Sequence, residues 1–154
     1  MPIKIVNKIF DRNCGYKRHA KCVYDISEFR NIDIPPCEPN DYGVLTPRLW
    51  ISFKNTKDQL FVINISRRPD GAYVFGYDIM HGPYGGGSGC YPSMKWKQNN
   101  PPAYTLQKCL VNAMKYMMNS YIGATKEDVR KAAERALGIV QRQQAYQMTI
   151  FDIL

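Results

Sequence analysis

Between Leu49 and Ile79 the chain alternates apolar and polar residues with a period of two. Leu49, Ile51 and Phe53 fall on one side of an extended segment; beyond the polar run Asn55-Thr56-Lys57-Asp58, Phe61, Ile63 and Ile65 fall on one side of the next. This period predicts half-buried strands, and the short polar break predicts that they pair as a hairpin. Arg68-Pro69-Asp70-Gly71 supplies the following turn, because proline pre-sets its backbone angle and glycine accepts positive φ. A third strand from Ala72 to Ile79 then places Tyr73, Phe75, Tyr77 and Ile79 on one face, with Val74, Gly76 and Asp78 on the other. The pattern predicts an antiparallel meander centred on residues 44–79, with one or both tyrosines in its core face. Trp50, Ser52, Lys54, Asn64 and Ser66 are expected on the opposite face.

After Pro101-Pro102 the period lengthens. Leu106, Cys109, Leu110, Ala113, Met114, Met117, Met118 and Tyr121 recur at steps of three and four, which predicts an amphipathic helix over about 103–121. A second helix over about 126–143, opened by a Thr125/Asp128 capping pair, turns Val129, Ala132, Ala133, Ala136, Leu137 and Val140 inward. The fold class expected is therefore α+β: a small antiparallel sheet covered by a C-terminal two-helix hairpin, with an extended tail. Residues 1–143 form the single domain and 144–154 the tail. Earlier in the chain, Met1 to Phe10 reads as a short strand or extended arm and Ala20 to Ile26 as a strand. Pro35, Pro36 and Pro39 mark a surface loop. Residues 81–102 read as one long irregular loop around Gly85-Gly86-Gly87-Ser88-Gly89. That run lacks the Lys and Ser/Thr ending and the following helix of a phosphate-binding loop, so a flexible flap is expected.

Composition sharpens the choice of partners. With 154 residues, 45% of them hydrophobic, the chain suffices for one normal core. Its 21 Lys and Arg against 13 Asp and Glu give a net charge of +8, which favours polyanions and nucleic acid first among them. There is no apolar run long enough to span a membrane and no secretory signal pattern, so a cytoplasmic location is expected. Cys14, Cys22, Cys37, Cys90 and Cys109 have no regular spacing and read as reduced thiols. Cys14, His19, Cys22 and Cys37 form a conceivable zinc quartet, but without the close Cys pair on which structural zinc sites are usually built. No cofactor is expected.

The sequence leans away from an enzyme. Its two histidines, His19 and His81, sit in no nucleophile or acid-base pattern. Asp78 and His81, at a strand end beside the glycine loop, with Asp58 or Asp70, are the alternative: a metal-dependent nuclease or other DNA-modifying site. Single-stranded nucleic acid needs cations for phosphates and open aromatic faces for bases. Arg67 and Arg68, Tyr84 and Tyr91, Lys95-Trp96-Lys97, and Lys54 with Trp50 supply both kinds of group. A further alternative is a protein-interaction module or inhibitor acting through the glycine loop.

The last residues name a second partner. Gln147-Met148-Thr149-Ile150-Phe151 resembles the peptide by which bacterial replication and repair proteins bind the DNA sliding clamp: Gln, an aliphatic residue, a small polar residue, Leu or Ile, then Phe. In such an anchor Gln147 offers a donor and an acceptor to backbone, Ile150 and Phe151 fill an apolar pocket, and Met148 lies alongside. The resemblance covers five residues and implies a DNA replication or repair accessory protein, of phage or mobile-element origin, that recruits or occupies the clamp. The competing reading of the same residues is a last β-strand packed on the chain's own core.

Overall fold

The computed structural model describes residues 4–8, 20–32, 34–54, 59–80, 87–119 and 126–153. Its sheet has six antiparallel strands: β1 (Lys4–Lys8), β2 (Ala20–Asp25), β3 (Leu49–Lys54), β4 (Gln59–Arg67), β5 (Tyr73–Met80) and β6 (Gly87–Cys90). Their order across the sheet is β2-β1-β3-β4-β5-β6. Helices α1 (Leu106–Met118) and α2 (Lys126–Ile153) lie on one face, giving the α+β class. The expected meander is the middle of this sheet, and the two N-terminal strands extend it on the β3 side.

The alternation along β3, β4 and β5 sets the register. Leu49 faces Ile65, Ile51 faces Ile63, and Ile65 faces Phe75, so one face is a continuous apolar layer. Phe53 and Phe61 stack with ring centroids 4.2 Å apart, and both are buried. Burial of each such side chain contributes roughly 2–3 kcal/mol relative to exposure. Against this layer pack Leu106, Leu110, Met114 and Met117 of α1 and Val129, Ala133, Ala136 and Val140 of α2. A 3-10 turn over Ile26–Asn31 adds Ile26 and Phe29 to the same core. The expected core face is correct, and both tyrosines belong to it: Tyr73 is buried, while Tyr77 is half-buried with its hydroxyl 3.2 Å from that of Tyr116. That hydrogen bond, and then burial, raise the Tyr77 phenol above its ordinary pKa.

Three expectations need correction. First, helix α1 starts at Leu106 rather than 103, because the Ala103 backbone is occupied in a bridge to Tyr73 and Thr105 caps the helix, its hydroxyl accepting from the Lys108 N–H at 3.1 Å. Second, residues 81–102 are not one irregular loop: Gly87–Cys90 form strand β6, whose Gly89 and Cys90 face Asp78 and Tyr77. Third, residues 144–153 are neither an extended tail nor a β-strand. Helix α2 runs on through them to Ile153, since a helix already nucleated adds residues at little cost and Gln, Arg, Ala and Met are good helix formers. The Asn55–Asp58 turn and the Thr125 cap lie outside the described residues.

The open side of β5 is closed by three different devices. β6 pairs with Tyr77 through Met80; further back, the Asn99 side chain imitates a strand, its Oδ1 accepting from the Phe75 N–H at 2.9 Å and its Nδ2 donating to the Phe75 carbonyl at 3.0 Å. Beyond it the Tyr73 N–H donates to the Ala103 carbonyl. Asn99 is only 8% exposed, so its loss strands two buried backbone groups. Asn99→Ala is expected to lower the unfolding free energy by roughly 2–4 kcal/mol in urea denaturation. A loss below roughly 0.5 kcal/mol would mean that water reaches the Phe75 edge.

Candidate nucleic-acid interface

Past β6 the chain leaves the sheet edge and crosses the face opposite the helices. It can do so closely because the crossing point is Gly76: a Cβ there would meet the Cys90 carbonyl oxygen and lie 2.7 Å from the Pro92 nitrogen. Residues 91–94 then pair with the turn before β3. The Leu45 N–H donates to the Pro92 carbonyl and the Met94 N–H to the Gly43 carbonyl, each at 2.9 Å. Ser93 also donates its hydroxyl to Gly43. Gly43 turns at φ 79°, while Asn40 Oδ1 accepts from the Tyr42 and Val44 N–H groups.

This crossing covers the part of the second face around Gly76. Leu45 and Val74 are fully buried there, as are Ser66, whose hydroxyl donates to the Thr46 carbonyl, and Asn64 at 5% exposure. Asn64 and Ser66 do lie on the face opposite the helices, as expected, but that face is covered where they sit, with Thr46 over Ser66. Trp50 and Ser52 are half-buried on the same face, Trp50 opposite Asn64.

The segment from Cys90 to Gln98 is thus a tied arch. Its feet are joined by Gln98 Nε2 donating to Cys90 Sγ at 3.0 Å, and its far end is held by the Asn99 side chain on the Phe75 backbone. On this arch Tyr91 is 64% exposed and Trp96 49%, with Lys95 and Lys97 exposed on either side of the indole. Tyr42, 87% exposed, sits beside the Gly43 that binds Ser93 and Met94. Tyr91, Lys95, Trp96 and Lys97 are thus all exposed on one segment, and Tyr42, which the sequence reading missed, is exposed next to the residue to which that segment is bound. The signal for Tyr42 was a large aromatic in the polar turn Asn40-Asp41-Tyr42-Gly43, where no periodic element could bury it. Tyr104 is also exposed.

The other predicted residues are placed differently. Arg67 is a brace and not a free cation: its Nε donates to the Gly71 carbonyl at 3.0 Å, Nη1 donates to the Ile34 carbonyl, and the guanidinium lies 5.0 Å from the Tyr73 ring centre. Arg68 pairs with Asp70 at 2.8 Å. Arg67 ends β4 and Arg68 opens the turn to β5, so both have partners within the fold that charge alone does not report. The Lys54 backbone ends β3. Tyr84 and His81 lie outside the described residues.

For acid-base or metal chemistry, Asp78 is exposed near the far end of β5, whereas Asp70 sits in the turn before that strand, roughly 20 Å away along extended chain. They cannot share an ion; Asp58, like His81, lies outside the described residues. Of the zinc quartet, Cys22 is on β2 opposite Asn7, the Cys37 thiol donates to the Arg67 carbonyl at 3.5 Å, and Cys14 and His19 lie outside the described residues. Among the described residues no three His, Cys, Asp or Glu side chains gather in a way that holds a metal. Burial pushes the Cys109 thiol up; burial does the same for Cys90 against the lowering effect of the Gln98 amide. Both are thereby kept from the reactive thiolate form.

No helix among the described residues is long and apolar enough to cross a membrane. No family model, curated protein or solved structure matches the chain.

Because the arch rests directly on Gly76, Gly76→Ala should lift it. The expected result is a stability loss of roughly 1–3 kcal/mol together with faster reaction of Cys90 with a thiol reagent. An unchanged melting temperature and an unchanged Cys90 rate would contradict the close crossing.

Proposed function

We propose that this protein is a non-enzymatic accessory factor of DNA replication or repair, one that holds single-stranded nucleic acid on its aromatic arch and a bacterial sliding clamp on its C-terminal peptide. The observation that carries the first half is the Lys95-Trp96-Lys97 triplet, with Trp96 half open to solvent on a segment tied at both ends, through Cys90 and through Asn99. An exposed indole between two cations costs solubility unless a partner uses it, and a base stacked on it with phosphates beside the lysines uses all three. Tyr91 and Tyr42 offer further faces, and the net charge of +8 favours encounter with the strand. The second half rests on the resemblance of Gln147, Met148, Ile150 and Phe151 to the clamp peptide, and on their place at the end of the chain's longest helix. Recruitment by the clamp and retention on exposed strand are complementary tasks for such a protein.

The test is titration of the full chain with a fluorescent oligothymidine at several salt concentrations. Affinity should fall steeply with salt, with part of the intrinsic tryptophan fluorescence quenched on binding. Trp96→Ala should cost roughly tenfold, the worth of one stacked base, while leaving the melting temperature unchanged. Salt-independent binding, or an affinity indifferent to Trp96→Ala, would remove the arch from the account.

A further inference from the structure

The sheet face opposite the helices carries two polar side chains with buried atoms that the fold leaves without partners, and an indole stands between them in the register. We infer that Arg48, Trp50 and Asn64 form a subsite for one unpaired nucleotide of the bound strand, with Arg48 on its phosphate, Trp50 against its base and the Asn64 amide on the base edge. The inference rests on the reading of the arch as a single-strand surface and adds the place where the strand continues.

Asn64 lies within β4, is 5% exposed, and its Oδ1 has no hydrogen-bond partner among the described residues. In register it stands between Trp50 of β3 and Gly76 of β5, all three on the face opposite the helices. Neighbouring strands lie about 4.8 Å apart, so Trp50 and Gly76 are roughly 10 Å from each other with Asn64 midway. The arch crosses at Gly76, against which the backbone of Cys90, Tyr91 and Pro92 is laid. Asn64 is therefore the floor of a cleft with Trp50 on one side and the arch on the other. One step along the strands Ser52 and Val62 are half-buried and Asp78 is exposed, so the cleft opens in that direction.

Arg48 stands at the opposite end. Its N–H donates to the Ile65 carbonyl at 2.9 Å, one residue before Leu49 pairs with Ile65, and strand alternation puts its side chain on the side of Trp50. The residue is half-buried, and its Nε is buried with no partner among the described residues. Arg68 Nε is also unpartnered, but that guanidinium holds Asp70, and Arg67 is bound to two carbonyls. Arg48 has no such anchor, and a planar fork of donors held partly out of water suits a phosphate.

A buried donor or acceptor left unpaired costs stability that an apolar residue of the same shape would avoid. A ligand that supplies the missing partners accounts for both. The Asn64 amide offers an acceptor and donors side by side, and every base presents a donor and an acceptor on its pairing edge. That edge is free only in an unpaired strand, so the amide separates single strand from duplex without demanding one base.

The experiment titrates the full chain with a fluorescent oligothymidine and with an equally long strand of abasic deoxyribose phosphates, at several salt concentrations, with thermal melting alongside. Asn64→Leu should weaken oligothymidine binding by roughly fivefold or more, leave abasic binding unchanged, and melt no lower than the wild type, since it removes an unpaired polar atom. Arg48→Gln should weaken binding of both strands and reduce the salt slope by about 0.7, the share of one phosphate contact on a single strand. If Asn64→Leu binds oligothymidine like the wild type, or Arg48→Gln leaves the salt slope unchanged, the subsite is overturned, while a loss of binding in Trp96→Ala would keep the arch. Where Asn64→Leu melts too low to be titrated, the Arg48→Gln slope decides alone. If the wild-type chain binds neither strand, the reading of the arch falls and this inference with it.

Discussion

The outer edge of β5 is the constraint from which the arrangement of the C-terminal half follows. An open strand edge exposes backbone groups that must find partners, and a flat one invites association with other chains. Here the edge is closed in three steps, by β6, by the Asn99 amide and by the Ala103 backbone. Those closures are made by one continuous piece of chain that leaves β6, passes over Gly76 to the second face, and returns at Asn99 before entering α1. The aromatic arch is what lies between the first closure and the second. Its exposure is a result of this route: Tyr91 and Trp96 are carried outward because the backbone on either side of them is engaged in closing the sheet.

A rigid base changes what exposed aromatics can do. A base that stacks on a mobile loop must also order the loop, and that ordering entropy is subtracted from the affinity. Ties at Gly43, Cys90 and Asn99 meet that cost during folding. The flanking lysines remain at the surface, whereas Arg67 is held by two carbonyls and a tyrosine ring. The division is consistent with the physical character of the two residue types: a planar guanidinium suits fixed, multidentate contacts, and a lysine ammonium on a flexible stem suits a surface position near phosphates.

Much of the core was legible in the sequence because one face of each central strand is buried. Leu49, Ile51, Phe61, Ile63 and Phe75 could be assigned from alternation alone, and the inward residues of both helices from their three- and four-residue steps. Strand β6 was not legible, since Gly-Ser-Gly-Cys has no apolar alternation and pairs through backbone only. The burial of Ser66 was hidden for another reason: the carbonyl that its hydroxyl binds belongs to Thr46, 20 residues earlier, and no local pattern reports such a contact. Arg67 shows the same limit at the candidate site. Its charge was plain in the sequence, while the carbonyls that engage it belong to Ile34 and Gly71 and appear only when the chain is folded. The helical course of the tail was missed because its apolar residues, read as a peptide motif, were separated from the Gln-rich helix that leads into them.

Amide hydrogen exchange across β5 tests the central claim most directly. Phe75 has no strand neighbour on its outer side, so its amide depends on Asn99 alone. The account predicts that the Phe75 amide exchanges as slowly as those of Ile63 and Ile65 in the middle of the sheet, with Tyr73 and Leu45 protected alongside it. Exchange of Phe75 at the rate of an open strand edge, while Ile63 and Ile65 stay protected, would contradict it and leave the arch without its support.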